Sequence, residues 1–521
     1  MSTTEHQAPA AASPRDTESG VPGGDALDRR SSAVHQHSDI SEKQTDEAAA
    51  VPWEQHPRNP MNWPNWKKTH LIVMLSSFGF VSSAGTSIIS PATSAIMAEF
   101  HVTRVVALLP LSLYCFALGF GPVVGGPLSE TTGRKPVYVG TSVLGALFTL
   151  GAGLTRSFGA LCFLRFMAGF CWAPALASGS GSIVETFAPR SRGPMIAIYV
   201  LMPFLGPGFA YAAKIYLDCV LSPILGSFAV SRQNWRWTQW ILLFFAAFTL
   251  LFTLTTWETF PAILKRRIAK ERGQDVTPSP PILKRITSFL QTGLIRPVHM
   301  LLTEPITGFL CLYVSVNFGI LFSFFAGLSY TFGRVYHFSI EQSGLVFLSV
   351  AIGCIIGLCT ILACDVGLYR PQMCNFPPGK VPPEHRLYPA MVGSLGLPVG
   401  LFWYAWTARS SVSWASPAVA ILPFAWGNLC IFVSAMQYGA DTYHGSVVAS
   451  QASANSLARY AFAGAFPLFI VQMYDKLGVD WAVSLFAIVT VALLPIPWVL
   501  FKFGPRIRAL SKYETVQYEN I

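Results

Sequence analysis

Long apolar runs alternate with short polar segments from about residue 69 to residue 503. A helix needs about 20 apolar residues to cross the hydrocarbon layer of a bilayer, so the pattern predicts an all-α polytopic membrane protein. The longest polar interruption, residues 258–303, follows the sixth run and divides the pattern into six plus six. The twelve predicted spans are 69–90, 105–125, 136–155, 158–183, 194–229, 237–257, 306–328, 342–366, 388–408, 417–439, 445–472 and 481–503.

Residues 1–50 differ from the rest of the chain. They hold four Lys/Arg against nine Asp/Glu and have no apolar periodicity, which is typical of a disordered tail. We therefore predict a disordered tail, a first six-helix bundle, a basic central loop, a second six-helix bundle and a C-terminal tail. Their bounds are 1–50, 51–257, 258–303, 304–503 and 504–521.

Composition supports this class. The chain is 52% hydrophobic and only 12% charged, with a mean hydropathy of +0.46, whereas soluble domains carry about a quarter charged residues. The ten cysteines form no CxxC pair and no Cys/His cluster, so we interpret them as small buried apolar residues. We expect no metal and no bound cofactor.

The basic residues predict the orientation. With both termini in the cytoplasm, the inner segments near the membrane hold 22 Lys/Arg and the outer loops hold seven, as the positive-inside rule requires. The central loop contains the basic amphipathic sequence LKRRIAKER, residues 264–272, which would lie on anionic lipid of the inner leaflet. The net charge of +10 therefore indicates membrane topology rather than a nucleic-acid partner.

The segment GGPLSETTGRKPVY lies between predicted spans 2 and 3 and concentrates charge in a glycine-rich link. Gly126 would allow a close helix approach, and Gly133 a tight turn. Glu130 can pair with Arg134, while Lys135 marks the inner face. These residues predict a charged latch that holds one conformation of a moving bundle. The alternative is that the two basic residues serve only as topology signals.

This link resembles G-x-L-x-[DE]-x-x-G-R-K, the hallmark loop of the major facilitator superfamily. LCFLRFMAGF in span 4 is similar to the superfamily's R-x-x-x-G element, here Arg165 and Gly169. NPMNWPNWKK, WRWTQW and ETFPAILKRR around spans 1 and 6 resemble the fungal twelve-span drug:H+ antiporters, as do PEHRLYPAM and FPLFIVQMYDKLGVDWAVSLF later in the chain. The resemblance covers about residues 52–512. It implies two bundles around a central cavity, driven by a proton gradient.

Ionisable residues within spans are expensive and indicate function. Arg165 in span 4 is a proton-coupling candidate by this resemblance, with a snorkelling helix-end arginine as the alternative. Glu185, at the end of the same span, is the leading candidate for the titrating carboxylate, while Asp365 and Asp441 fall nearer to loops. Arg459 in span 11 has an equally good structural interpretation, as a partner of a carbonyl group or a lipid phosphate.

The superfamily architecture implies a cavity lined chiefly by spans 1, 4, 7 and 10. An aromatic, weakly polar lining suits amphipathic or cationic organic molecules. The candidate cavity residues are Tyr114, Trp172, Tyr313, Asn317, Asn428 and Gln437.

Span 5 departs from the antiporter pattern G-x-x-x-G-P-x-x-G-G. The motif begins at Gly206 and Pro207 and resumes only at Pro223 and Gly226. Lys214 and Asp218 lie between these pieces, four residues apart, and are either an intramembrane ion pair used in transport or part of an insertion near 208–222, such as a retained intron. We favour the insertion because its removal restores the helix length and the motif spacing.

The sequence bears on three function classes: a carrier, a membrane enzyme and a non-transporting sensor. A proton-coupled efflux carrier for a drug, fungicide, toxin or secondary metabolite fits best; a polyamine or nutrient carrier and a non-transporting sensor are the alternatives. A membrane enzyme is disfavoured because the sequence has no nucleophile elbow, Walker sequence or acid-rich metal motif. The expected partners are a small-molecule substrate, protons and lipid, and the expected state is a monomer. We expect the plasma membrane, with the vacuolar membrane as the alternative.

Overall fold

The computed structural model describes residues 52–188, 191, 195–196, 199, 218–273, 291–376, 381–443, 446–513 and 515. Regular structure in these residues is helical, apart from one isolated bridge between Tyr443 and Thr515. The predicted all-α class is thereby confirmed. The longer helices, labelled in chain order, are α1 (Asn65–Ser87), α2 (Leu109–Thr132), α3 (Arg134–Leu154), α4 (Phe158–Trp172), α5 (Pro174–Thr186), α6 (Asp218–Arg232), α7 (Trp237–Thr255), α8 (Pro261–Glu271), α9 (Pro305–Val335), α10 (Leu348–Cys364), α11 (Gly396–Thr407), α12 (Ala415–Thr442), α13 (Ser446–Leu493) and α14 (Pro495–Arg508).

Within the described ranges, nine segments are long and apolar enough to cross a membrane. One of them, Val447–Arg508, covers the last two predicted spans, and Gly478 (φ 79°) interrupts its helix between them. Predicted span 9 is split into the helix Tyr388–Gly393 and α11. Much of predicted span 5 lies outside the described residues. The count of twelve and the six-plus-six division therefore stay predictions.

Predicted span 4 is divided as well. Helix α4 ends at Trp172 and α5 begins at Pro174. The backbone nitrogen of a proline carries no hydrogen, so Pro174 cannot donate the hydrogen bond that would continue α4. The break separates Arg165, on α4, from Glu185, near the end of α5. A helix rises about 1.5 Å per residue, so these two residues are at most about 30 Å apart along the segment.

The two halves of the chain pack where α13 lies against α2. Gly464 of α13 allows this approach, because a Cβ atom there would lie 3.0 Å from the carbonyl oxygen of Ser112 on α2. Small residues serve the same purpose in membrane helix packing generally, where backbone approach replaces hydrophobic association.

Polar contacts also join the two halves near the ends of α1, α6 and α9. The hydroxyl of Ser90 donates to the carbonyl oxygen of Phe325 at 2.6 Å. The carboxylate of Glu341 accepts from Ser231 at 2.7 Å and from Arg232 at 3.2 Å. The predicted topology assigns this end of the helices to the outside.

Candidate functional site

Arg134, the central residue of the predicted latch, is buried at the start of α3. Its guanidinium donates to Glu185 at 2.9 Å and to the hydroxyl of Ser129 at 2.6 Å. The side chains of the Arg134–Glu185 pair are only 8% and 12% exposed. The carboxylate in direct contact with Arg134 is that of Glu185 rather than that of Glu130, whose exposed side chain on the last turn of α2 acts on Arg134 only through its charge.

Glu258, just beyond α7, binds the start of α3. Its Oε1 atom accepts from the backbone N–H of Arg134 at 2.8 Å, and its Oε2 atom accepts from that of Lys135 at 3.2 Å. The amides of Thr259 and Phe260 also donate to Oε1, at 3.1 and 3.0 Å. A carboxylate thus satisfies amides that a helix start leaves without intrahelical partners.

Two glycines of the latch have opposite surroundings. Gly133 has φ 104°, and a Cβ atom there would lie 2.5 Å from the Glu258 carboxylate. Both the backbone conformation and the lack of room for a side chain therefore require glycine at this position. Gly126 has nothing within 4 Å of such an atom. The predicted close approach at Gly126 is therefore wrong; its neighbour Gly125 makes it instead, against Pro174.

Hydroxyl groups extend this cluster into the bundle. The Thr259 hydroxyl donates to Glu185 at 2.9 Å and lies 3.2 Å from the hydroxyl of Ser182. Ser182 in turn lies 2.9 Å from the hydroxyl of Tyr138. We use the name latch cluster for Ser129, Arg134, Glu185, Glu258 and Thr259. It joins the ends of α2, α3, α5 and α7.

The second half of the chain contains a related arrangement before predicted span 9. Arg386 donates to Asp441, at the end of α12, at 2.8 Å and lies 3.7 Å from Asp365. Asp365 also pairs with Arg370 at 3.0 Å. Asp365 and Asp441 thus lie at helix ends, as expected, and they pair with basic residues of the segment that precedes predicted span 9.

Two further carboxylates bind the C-terminal segment, residues 508–512, through hydrogen bonds. Arg508, at the end of α14, donates to buried Glu384. Burial raises the pKa of the Glu384 carboxyl, and the charge of Arg508 opposes that rise. Glu304, which precedes α9, accepts from the hydroxyl of Ser511 at 2.6 Å and from the backbone N–H of Lys512 at 2.8 Å.

Arg165 is fully buried between α1, α2 and α4. It donates to the carbonyl oxygen of Gly85, and its guanidinium lies 4.4 Å from the ring centroid of Tyr114. Its Nε and Nη1 atoms have no hydrogen-bond partner among the described residues. The structure does not bring it together with Glu185, which belongs to the latch cluster.

The predicted cavity residues fall into two groups. Tyr114 and Trp172 are fully buried in the first half, where Trp172 packs against Phe78 with ring centroids 5.4 Å apart. The second group is on α9 and α12: Asn428 donates to the carbonyl oxygen of Asn317 at 3.0 Å. Among the described residues, both side-chain amide atoms of Asn317, the Asn428 Oδ1 atom and the Tyr313 hydroxyl are buried without a hydrogen-bond partner. Gln437 is half-buried further along α12.

Arg459 on α13 is buried among aromatic rings. Its guanidinium carbon lies 4.7 Å from the ring centroid of Phe318, 4.5 Å from that of Phe432 and 4.6 Å from that of Tyr460. These rings belong to α9, α12 and α13, so three helices of the second half converge on this residue.

The structure describes only the second of the two pieces of the span-5 motif. Gly206, Pro207 and Lys214 lie outside the described residues, so the predicted insertion is untested there. Pro223 lies inside α6, and a Cβ atom at Gly226 would collide with the backbone carbonyl of Ile88.

Several functional candidates carry no obvious sequence signal. Glu258 begins the ETFPAILKRR segment that resembles the antiporters, but as a loop acid three residues before α8 it gives no sign that it binds the start of α3. Thr259 and Ser129 are small polar residues at helix ends, a very common pattern. Across the part of the chain that the structure describes, no group of three or more His, Cys, Asp or Glu residues could hold a metal ion.

A helical bundle with many apolar segments and charge clusters at the helix ends defines a multi-pass membrane protein. The chain belongs to the Major Facilitator Superfamily, whose family model matches residues 75–465. It is 35% identical to polyamine transporter 4 of Saccharomyces cerevisiae, over 88% of this chain and 72% of that protein. It is also 35% identical to the citrinin biosynthesis cluster transporter mrr1 of Monascus ruber, over 89% of this chain and 92% of that protein.

The fold is similar to that of a solved transporter structure. The crystal structure of the human organic anion transporter MFSD10 aligns with a TM-score of 0.55, covering 83% of this chain and 99% of that one at 14% identity. This likeness supports the fold.

Proposed function

We propose that this protein is a secondary active transporter that exports small amphipathic organic molecules in exchange for protons. Transport would proceed by alternating access, with the two halves of the chain rocking about a midplane cavity. Two relatives support a transport role for small organic molecules, one named for polyamines and one for a biosynthesis cluster. We place the protein in the plasma membrane as part of this proposal.

The latch cluster is the observation that carries the proposal. Four helix ends meet at one buried ion pair, Arg134 with Glu185, and at the carboxylate of Glu258. A buried ion pair contributes little net stability, because desolvation offsets its attraction. Such a pair is better suited to holding one arrangement of the helices and releasing them in another.

Glu185 is our candidate for the proton-binding group. Protonation would remove its negative charge and leave the buried guanidinium of Arg134 without a counter-charge. The cluster would then loosen and α5 would be free to move relative to α3. Arg165 acts through position rather than titration, because an arginine keeps its proton.

The coupling is tested in proteoliposomes that contain the full chain and an imposed pH gradient. A panel of fluorescent dyes and antifungal compounds should accumulate against its gradient, and a protonophore should abolish the accumulation. Glu185→Gln should remove the pH dependence, whereas Glu271→Gln, on the exposed helix α8, should keep it. Accumulation that survives the protonophore but requires ATP would refute the proposal.

A second experiment addresses Arg165. Arg165→Ala should abolish efflux from an efflux-deficient host without lowering the amount of protein at the cell surface. Unchanged efflux would show that Arg165 has no role in transport. The proposed mechanism would then depend on the latch cluster only.

A further inference from the structure

Arg459 carries a charge into the centre of the second half, where the described residues offer it no acidic partner. Only 7% of its surface is exposed. Its titratable neighbours are Tyr460, Tyr199 and Cys311, and none of the described acidic side chains forms an ion pair with it. Its Nε atom is buried and has no hydrogen-bond partner among the described residues.

The surrounding rings attract this charge but do not satisfy its N–H donors. A cation–π contact is made with the face of a ring, which offers no lone pair to an N–H group. Burial of an ion costs several kcal/mol even after relaxation, and the guanidinium has five N–H donors that rings satisfy poorly. Buried polar groups in native proteins are nearly always hydrogen-bonded, so a buried guanidinium nitrogen without a partner indicates a missing acceptor.

The acidic residues that the structure describes are poorly placed to supply this acceptor. Each of them lies in a loop or within three residues of a helix end or of the Gly478 break, as Glu185, Glu341 and Asp441 illustrate. Arg459 lies fourteen residues into α13, well away from its start. None of the described carboxylates lies at this depth, so the proposal assigns the complementary negative charge to a bound molecule.

The helices around Arg459 also provide a lining for such a molecule. Phe318 and Phe432 form an aromatic pair with ring centroids 5.1 Å apart. Their helices, α9 and α12, also carry Asn317 and Asn428, whose side chains have buried atoms without partners. Flat aromatic surface beside a planar guanidinium suits a conjugated ring that bears a carboxylate, which arginine binds through two parallel hydrogen bonds.

We infer that Arg459 is the anion-binding residue of the substrate site and that the cargo is an aromatic or conjugated organic acid, bound as its carboxylate with its ring against the Phe318–Phe432 pair. This inference rests on the proposed transport function and narrows its substrate class. Of the amphipathic or cationic cargo expected from the sequence, it keeps the amphipathic class and excludes the cationic one, and it predicts that a polyamine is a poor substrate.

Three probes with one ring system and different charges test this assignment. They are 2-naphthoate, the neutral 2-naphthamide and the cation 2-naphthylmethylammonium, with spermidine as a polyamine arm. Binding to the purified full chain and transport into proteoliposomes are both measured. A charge-assisted hydrogen bond contributes about 1.5–3 kcal/mol, so the anion should bind at least about tenfold more tightly than the amide or the ammonium.

Arg459→Gln should reduce naphthoate affinity about tenfold or more and remove the preference over the amide. The matched control is Arg506→Gln, the same change of charge at an exposed position on α14, and it should leave the preference intact. If Arg459→Gln does not fold, Arg459→Lys should fold and retain the preference for the anion with weaker binding, because the charge remains and the planar fork is lost.

Two results would overturn the assignment. One is transport of the ammonium probe or spermidine in preference to naphthoate; the proposed transport function would then stand and only the substrate class would fail. The other is displacement of naphthoate by short-chain phosphatidic acid without any naphthoate transport, which would make Arg459 a lipid site. Absence of gradient-driven transport of every compound in the larger panel would instead refute the proposed function.

Discussion

At the scale of single residues, Glu258 is the clearest case of a side chain that organises others. Four backbone amides donate to its carboxylate. Glu258→Ala should lower the free energy of unfolding by at least about 2 kcal/mol, because several buried donors lose their acceptor. Thermal unfolding in detergent measures the effect.

The control for this substitution is Glu271→Ala on α8. Glu271 pairs with Arg58, but both side chains are more than half exposed, so the loss should stay below about 1 kcal/mol. Equal effects of the two substitutions would show that Glu258 does not hold the start of α3.

Gly133 and Gly126 form a matched pair of substitutions within eight residues. Gly133→Ala should destabilise the protein, since its φ of 104° and the nearby Glu258 carboxylate both exclude a methyl group. Gly126→Ala should be tolerated, because the added atom meets open space. Expression level and melting temperature of the two variants compare them directly, and a tolerated Gly133→Ala would contradict the described turn.

At the scale of elements, the link between α3 and α5 predicts energetic coupling. Arg134→Gln or Glu185→Gln alone leaves a buried charge unpaired and should cost about 3–5 kcal/mol. The double variant should cost less than the sum of the two by more than about 1 kcal/mol. The same cycle on the exposed Arg58–Glu271 pair should give a smaller coupling energy. Strict additivity for Arg134 and Glu185 would mean that their contact has no energetic role.

The elements themselves were largely predictable, because long apolar runs have few alternatives to membrane helices. The pattern did not reveal the break between α4 and α5, although Pro174 was a visible signal. It also assigned one helix to residues 388–408, where the structure has two. Hydropathy averages over a window and is insensitive to a kink within it.

Site geometry was much harder to predict from the sequence. The motif identified Arg134 but suggested Glu130 as its partner, because partners close in sequence are the visible ones. The actual partner is 51 residues away, and Glu258 is 124 residues away. The sequence indicates only that Arg459 is an ionisable residue within a span. The aromatic rings around it could not be predicted, because they depend on how α9 and α12 pack against α13.

At the scale of the whole molecule, the predicted orientation can be measured by chemical labelling. Glu130 and Lys476 are exposed and belong to opposite faces in the predicted topology. In a background with the exposed Cys359 and Cys374 changed to Ser, Lys476→Cys should react with an impermeant maleimide in intact cells. Glu130→Cys should react only after permeabilisation. The reverse labelling pattern would invert the topology and place the latch cluster outside.

The fastening of the C-terminal segment has a practical consequence for anyone who engineers this protein. Glu384 holds the last turn of α14, and Glu304 holds the residues directly after it. A chain shortened to residue 507 would lack Arg508, Ser511 and Lys512. Glu384 and Glu304 would then lose the partners described above, and Glu384 is buried. Purification tags and reporter domains should therefore be attached after the final residue through a spacer. Any C-terminal truncation should retain the chain up to and including Tyr513.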